Sequence, residues 1–297
     1  MAGIGSKIVA VDYNNIQSKI SLIFGTGSLD YGYGQTILSS QVAVGNRVSS
    51  LQWSNLRSDL IKARYHQTGV DPSSSLTDPT TVTRVTEADR AAYSAFADVV
   101  TASRLTSPPA GQASREPLVA PAVRTTAWNG VITHTITVNF STADDARFYF
   151  NTGSQIWFSA SRTGGGTGTK NTSWTTMLTN MGIIKFGYTD TTATGTGSTS
   201  VIGYYDLTTS DQLIFQKSTE APVYSPNKYN VYARLGTPSS GVQIIFTVQF
   251  RDDSAQPNAP YGTDEDVDGT LTSTVEGYRA SGTNVSVGLP PATSSGI

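Results

Sequence analysis

Three aspartates at alternate positions, Asp264, Asp266 and Asp268, followed by Gly269 in "GTDEDVDGT", are the sharpest chemical signal in the chain. They match the D-x-D-x-D-G opening of a calcium loop, in which carboxylate oxygens surround a hard cation and the glycine permits the sharp turn. The twelfth position of such a loop should hold a bidentate Glu. Here it is Val275, with Glu276 one residue late, and the residues after Gly269 read as strand. The competing reading is a solvated acidic turn, with Asp268-Gly269 as a hairpin signal. Ca2+ on Asp264, Asp266 and Asp268 is the only cofactor these residues suggest; otherwise none is expected.

A second candidate is a carboxylate pair drawn from Asp252, Asp253, Asp264, Glu265 and Asp266, since glycosidases need only two acids at a set separation. Trp128, Trp157, Tyr204, Tyr205 and Tyr261 are of the type that stacks on sugars, although aromatics on strands more often pack in cores. The third candidate is "FGTGSLDYGYGQT", residues 24–36, where Gly25, Gly27, Gly32 and Gly34 crowd together. Phosphate cradles form where a strand turns into a helix, so that free N–H groups face the anion. Here the glycines follow a helix and no Lys-Ser/Thr pair comes after them, so the stretch reads as a loop required for its shape. Histidine chemistry has only His66 and His134 to work with, and there is no cysteine. That leaves no convincing zinc site or nucleophilic triad. His134 falls on the dry face of a strand, as a core histidine. His66 falls in the last turn of a helix, where a cation meets the favourable end of the dipole.

The elements that must position these residues change character along the chain. In residues 1–106 the apolar period is helical. Tyr13, Ile16, Ile20 and Ile23 recur at three- and four-residue spacing, with Asp12 as N-cap and Gly25 as stop. Trp53, Leu56, Leu60 and Ala63 follow a Ser49–Gln52 capping box and end at Gly69. Thr86 and Asp89 open a third helix with Ala92, Phe96 and Val99 on one face. Residues 107–122 hold Pro108, Pro109, Pro117 and Pro121 and read as a semi-stiff linker. From 123 to 290 the period is two. "VITHTITVNF" and "GVQIIFTVQF" alternate strictly, and weaker strands lie at "SQIWFSAS", "GIIKFGY", "VIGYYDL", "QLIFQK" and "KYNVYARL". Helical turns at "STADDARFYF" and "SWTTMLTNMG" interrupt them. Residues 189–200 read as a mobile loop and 291–297 as a flexible tail. The expected class is α+β: a small N-terminal helical module, a Pro-rich linker, and a C-terminal antiparallel β-sandwich with short helical insertions.

Charged residues make up 14% of the 297, and the net charge is -2, against roughly 25% charged residues in an average globular chain. No basic stripe offers a footprint for nucleic acid. No apolar run reaches the length of a membrane span, and the apolar run near the N-terminus is too short for a signal peptide.

The stretches "VDYNNIQSKISLIFGTGSLDYGYGQTILSSQV" and "WSNLRSDLIKARYHQTG" resemble the N-terminal module of virion structural proteins of contractile-tailed bacteriophages, notably those infecting cyanobacteria. "ARFYFNTGSQIWFSASRTGG", "NTSWTTMLTNMG", "YYDLTTSDQLIFQK", "YNVYARL" and "FRDD…DEDVDGTLTSTVEGYRA" are similar to the C-terminal part of the same family. The resemblance is weakest across residues 70–85 and the Pro-rich segment. It implies a non-enzymatic component of the tail, neck, baseplate or fibre apparatus, located in the virion and assembled in the host cytoplasm. The implied partners are other virion proteins and copies of the chain, with a trimer expected. Tyr31, Tyr33 and Trp53 are then the expected interface residues, and the glycine-tyrosine loop lets a neighbouring subunit approach. The alternative is a module that binds or cleaves host surface glycans.

Overall fold

The computed structural model describes residues 8–80, 82, 84–237, 241–254 and 265–297. The chain is α+β and divides into two compact units. The first runs up to Ser114 and takes in Arg147–Ser154 and Arg279–Gly288; the second comprises Arg115–Ala146, Gln155–Tyr278 and Leu289–Ile297. The first unit therefore includes two segments that lie within residues 123–290, the stretch read from sequence as the C-terminal domain.

In the first unit, helices α1 (Ala10–Phe24), α2 (Ser50–Thr68) and α3 (Glu87–Ala102) bury their apolar stripes together. Tyr13 meets Trp53 edge-on at 5.3 Å, and Trp53 meets Tyr93 edge-on at 5.1 Å, so one row of rings joins all three helices. Burial of each such ring contributes about 1.5–3 kcal/mol, which short helices need because each alone is marginal in water. The Ser49–Gln52 and Thr86–Asp89 capping boxes are both formed, and Gly69 closes α2 in the left-handed region. Two details differ from expectation. Asp12 is not the N-cap of α1: Val9 is, and the Asp12 carboxylate accepts from the Val9 N–H at 3.2 Å. On α3 the buried stripe is Tyr93, Ala97 and Val100, one residue on from Ala92, Phe96 and Val99, because Tyr93 must reach Trp53.

The second unit is built on two sheets. Strands β1 (Ala113–Pro117), β2 (Ala122–Arg124) and β3 (Gly130–Asn139) come first, then, after α4 (Ala143–Asn151), most of which belongs to the first unit, β4 (Gln155–Thr163) and α5 (Thr169–Met181). Then come β5 (Ile184–Phe186), β6 (Thr191–Ala193), β7 (Ser198–Thr199), β8 (Gln212–Ser218), β9 (Lys228–Leu235), β10 (Gln243–Asp252), β11 (Thr270–Ala280) and β12 (Ala292–Gly296). One sheet has the order β1-β11-β4-β5-β6, with β2 also on β11; the other is β12-β3-β10-β9-β8-β7. Antiparallel pairing along β3 and β10 sets Ile136 opposite Phe246 and His134 opposite Val248. The period of two thus sends Ile136, Val138, Ile244, Phe246, Val248 and Phe250 to one buried face. Phe246 touches Phe158 of β4 at 5.0 Å and Phe186 of β5 at 5.1 Å, so the two sheets share a core.

Four stretches depart from the sequence reading. Part of the Pro-rich segment is strand β1, on the edge of a sheet, where Pro117 is tolerated. The tail is ordered as β12 along β3. Residues 189–200 carry β6 and β7. "VIGYYDL" is no strand; it holds a 3-10 turn at Tyr204–Asp206.

The glycine-tyrosine loop is shaped by its own unit. Gly27, Gly32 and Gly34 have φ of 52°, 108° and 69°, and a Cβ on Gly32 would collide with the Thr26 carbonyl. Gly32→Ala is therefore expected to lower stability by about 1–3 kcal/mol, read as a shifted urea midpoint with an unchanged slope.

Candidate functional site

A group of interlocked charged side chains lies in the second unit, where β4 runs into α5. β4 delivers Arg162, residues 163–168 form the glycine-rich connection "TGGGTG", and α5 opens with Lys170 and Asn171. Gly164 and Gly165 take φ of 66° and 71°, and a Cβ on Gly165 would lie 2.6 Å from the Asp268 carboxylate. Only glycine lets the loop close over that acid.

Asp268 accepts from Arg162 Nη2 at 2.8 Å and from the Gly166 N–H at 2.9 Å. The Gly166 N–H first, and then the Arg162 guanidinium, hold its carboxyl below the usual range, against the desolvation that would raise it. Arg162 also donates Nε to the Asp268 carbonyl at 2.6 Å and Nη1 to Asn171 O and Thr175 Oγ1 at 3.2 and 3.1 Å. Lys170 and Asp252, both with fully buried side chains, form an ion pair at 2.6 Å. The Lys170 ammonium donates to the Glu265 carbonyl as well. The Glu265 carboxylate lies beside Gly168 and accepts from Tyr224 OH at 3.4 Å. Burial first, and then Glu265, raise the Tyr224 hydroxyl above its ordinary range.

This strand, glycine loop and helix order is the one that suits a phosphate cradle. The order occurs at residues 163–170 and not at residues 24–36, the glycine-rich stretch weighed for it above. The run of glycines between a strand and a lysine is the available signal. In the structure the chain's own acids take the anion's place: Asp268 occupies the Gly166 N–H and Glu265 the start of α5. The arrangement is a filled cradle that ties residues 265–268 to the β4–α5 junction.

Of the expected calcium ligands, Asp264 lies outside the described residues, Asp266 is exposed, and Asp268 is engaged by Arg162. A cation at Asp268 would have to compete with that guanidinium. Among the described residues no three of His, Cys, Asp and Glu gather as a metal-binding group. Of the candidate acids, Asp252 pairs with Lys170, which reaches Glu265 only at its backbone carbonyl, while the Glu265 carboxylate faces Tyr224. Asp253 faces Arg251 at 2.9 Å instead.

The expected interface residues are placed otherwise. Tyr33 and Trp53 are 1% and 2% exposed within their own unit. Tyr33 donates its hydroxyl to the Arg104 carbonyl at 2.7 Å and accepts from Gln67 Nε2 at 3.0 Å. Tyr31 is half-buried, with the Arg104 guanidinium 4.4 Å from its ring centre. These rings anchor the loop to its own helices, which corrects the interface assignment for Tyr33 and Trp53.

His134 is a core histidine, with Nδ1 3.0 Å from Ser273 Oγ, and burial lowers its pKa. His66 is no helix-end cation: it is fully buried, with Nε2 3.0 Å from the Thr152 carbonyl. Trp128 is buried edge-on against Trp174 at 4.8 Å. Trp157 stacks on Tyr278 with ring centres 4.5 Å apart and planes 6° apart. Arg115 and Lys185 lie 5.0 and 4.6 Å from the Trp157 ring centre. Tyr204 is buried and Tyr205 is 37% exposed, while Tyr261 lies outside the described residues. A groove of about 180 Å³ runs along α5, lined by Thr169, Thr172, Ser173, Thr176, Glu220 and Ala221. Glu220, its one ionisable lining group, pairs with Lys217 at 2.8 Å.

Compared with protein-family models, curated proteins and solved structures, the chain matches none at a significant level. Among the described residues no helix is long and apolar enough to cross a membrane.

Proposed function

We propose that the chain is a non-enzymatic structural component of a bacteriophage particle, part of its tail, neck, baseplate or fibre apparatus. Its helical unit docks to the particle, and its strand-rich unit, a β-sandwich, packs against copies of itself or faces outward. The observation that carries this reading is the commitment of reactive side chains to architecture. Arg162 with Asp268 and Lys170 with Asp252 fasten loops and helix ends, and both histidines lie in the cores. Side chains so engaged hold shape, which is what an assembly protein requires, and the sequence resemblance points the same way. The expected partners are other virion proteins and a closed ring of identical chains. Mass spectrometry of purified particles should find the chain in fixed stoichiometry, and native mass spectrometry should find an oligomer. A chain missing from particles and monomeric at all concentrations would overturn the proposal.

One observation favours a second reading, a host-glycan module. The stacked Trp157–Tyr278 pair, with Glu276 paired to Arg115 beside it, lies on the half-buried face of β4 and β11. Binding on a glycan array that Trp157→Ala abolishes would support that reading over the first.

A further inference from the structure

We propose that Lys170 and Asp252 condense into an intramolecular amide, cross-linking the start of α5 to the end of β10. The inference is independent of the phage reading. The ammonium nitrogen and Asp252 Oδ2 lie 2.6 Å apart, and neither side chain is exposed to solvent. An amine and a carboxylate do not condense in water, where both are charged, hydrated and dilute. Held together in a dry site, such groups reach effective concentrations of about 10⁵–10⁸ M.

The surroundings are dry and shaped. Lys170 shares a face of α5 with Trp174, four residues on. Trp174 is fully buried and faces Phe250 of β10 at 6.5 Å, and Phe250 meets Tyr229 at 5.1 Å. Asp252 projects on the same side of β10 as Phe250, two residues away. The carbonyl of Glu265 accepts from the Lys170 nitrogen and fixes its direction. Ser254 Oγ donates to Asp252 Oδ1 at 3.3 Å, which leaves Oδ2 towards the amine. Ser254 is held in turn by Asn227 Oδ1 at 2.8 Å.

The reaction needs no co-reactant. A proton passes from the ammonium to Oδ2, leaving a neutral amine and a neutral acid. The nitrogen lone pair attacks Cγ while Ser254 supports the charge building on Oδ1. The Cγ–Oδ2 bond breaks, and Oδ2 departs with its proton and a second one from nitrogen as water. One ammonium and one carboxylate become one amide and one water, with no oxidation or reduction. The product removes a buried charge pair, whose desolvation costs several kcal/mol per ion by general accounting. It also closes a long loop covalently, which constrains the unfolded chain much as a disulfide does.

Intact-mass spectrometry of the purified full chain tests the proposal. The folded protein should weigh about 18 Da less than its sequence, the mass of the lost water. Proteolysis should release a branched peptide joining Lys170 to Asp252. Lys170→Arg and Asp252→Ala should both return to full sequence mass. Asp252→Asn should form the same amide by losing ammonia, about 17 Da. A wild-type chain that is folded by circular dichroism and keeps its full mass after days at neutral pH would overturn the proposal. So would a mass loss that persists in Lys170→Arg or maps to other residues. The wild-type mass decides the matter even if a variant fails to fold.

Discussion

Trp174→Ala should lower the unfolding free energy of the second unit by about 3–5 kcal/mol, the range for removing a large buried aromatic. Trp174 is fully enclosed between α5 and the sheet, edge-on to Trp128 at 4.8 Å and tilted against Phe250 at 6.5 Å. Its removal forfeits the transfer energy of the ring and leaves a cavity whose walls are other rings. Those rings are themselves pinned: the Trp128 backbone pairs with Val267 at 2.9 and 2.8 Å, and Phe250 is paired on both sides, opposite Ile132 of β3 and Tyr229 of β9. Such walls cannot collapse inward cheaply, so the cost belongs in the upper half of the range. Trp157→Ala is the internal control. That ring is half-buried on the opposite face of its strand and is expected to cost about 1 kcal/mol, of the order of its stacking on Tyr278. Urea unfolding of the two variants beside the parent gives the comparison. Equal losses would mean that Trp174 does not fill the core as described.

The two cases also show which features the sequence makes legible. Trp174, Met177, Leu178 and Met181 stand out by spacing, and all four are buried. β10 and β3 declare themselves by strict alternation, because a strand with one dry face must alternate. Strands β1, β2, β6, β7 and β12 have no such face. They lie at or near sheet edges, short and with few buried apolar side chains, and residues such as "ATSSG" give no periodic signal. The buried stripe of α3 lies one position on from the one the spacing suggests, because Tyr93, an amphipathic residue, outcompetes Ala92 for the core.

The charged site was legible only in pieces. Asp268 and Gly269 drew attention as a cation loop, but Arg162 lies over a hundred residues earlier, and nothing local to the aspartates announces a guanidinium. Lys170 carries no signal in the sequence, and Asp252 stands out only as one of several acids near the end of β10. They meet inside because α5 carries Lys170 on the same face as Trp174, and the end of β10 carries Asp252 on the same side as Phe250. Long-range pairing of this kind follows from topology, which no window of residues contains.

Acid should weaken the first unit through His66. Burial pushes this imidazole down to about 4, from an ordinary value of 6.5, while the bond to the Thr152 carbonyl opposes the shift. That bond makes Nε2 the protonated nitrogen, so an added proton must go to Nδ1, which has no hydrogen-bond partner among the described residues. A helix dipole favours a cation at this end by about 0.3–1 kcal/mol. Desolvation outweighs it: the shift corresponds to about 3 kcal/mol at roughly 1.4 kcal/mol per pH unit. The unfolded chain takes up the proton at higher pH than the folded one, so the folded state is favoured in full above 6.5. That advantage falls away as pH drops from 6.5 towards about 4, at a limiting slope of about 1.4 kcal/mol per unit. His134 is also held low by burial, but it belongs to the second unit. His66→Gln keeps an amide donor for Thr152 and does not titrate, so it should flatten the first unit's profile across this window and leave the His134 contribution in place. The measurement is urea unfolding between pH 7 and 4, with the first unit followed by hydrogen exchange at its helices. A wild-type profile that matches the glutamine variant throughout would mean that His66 takes its proton without opening its pocket.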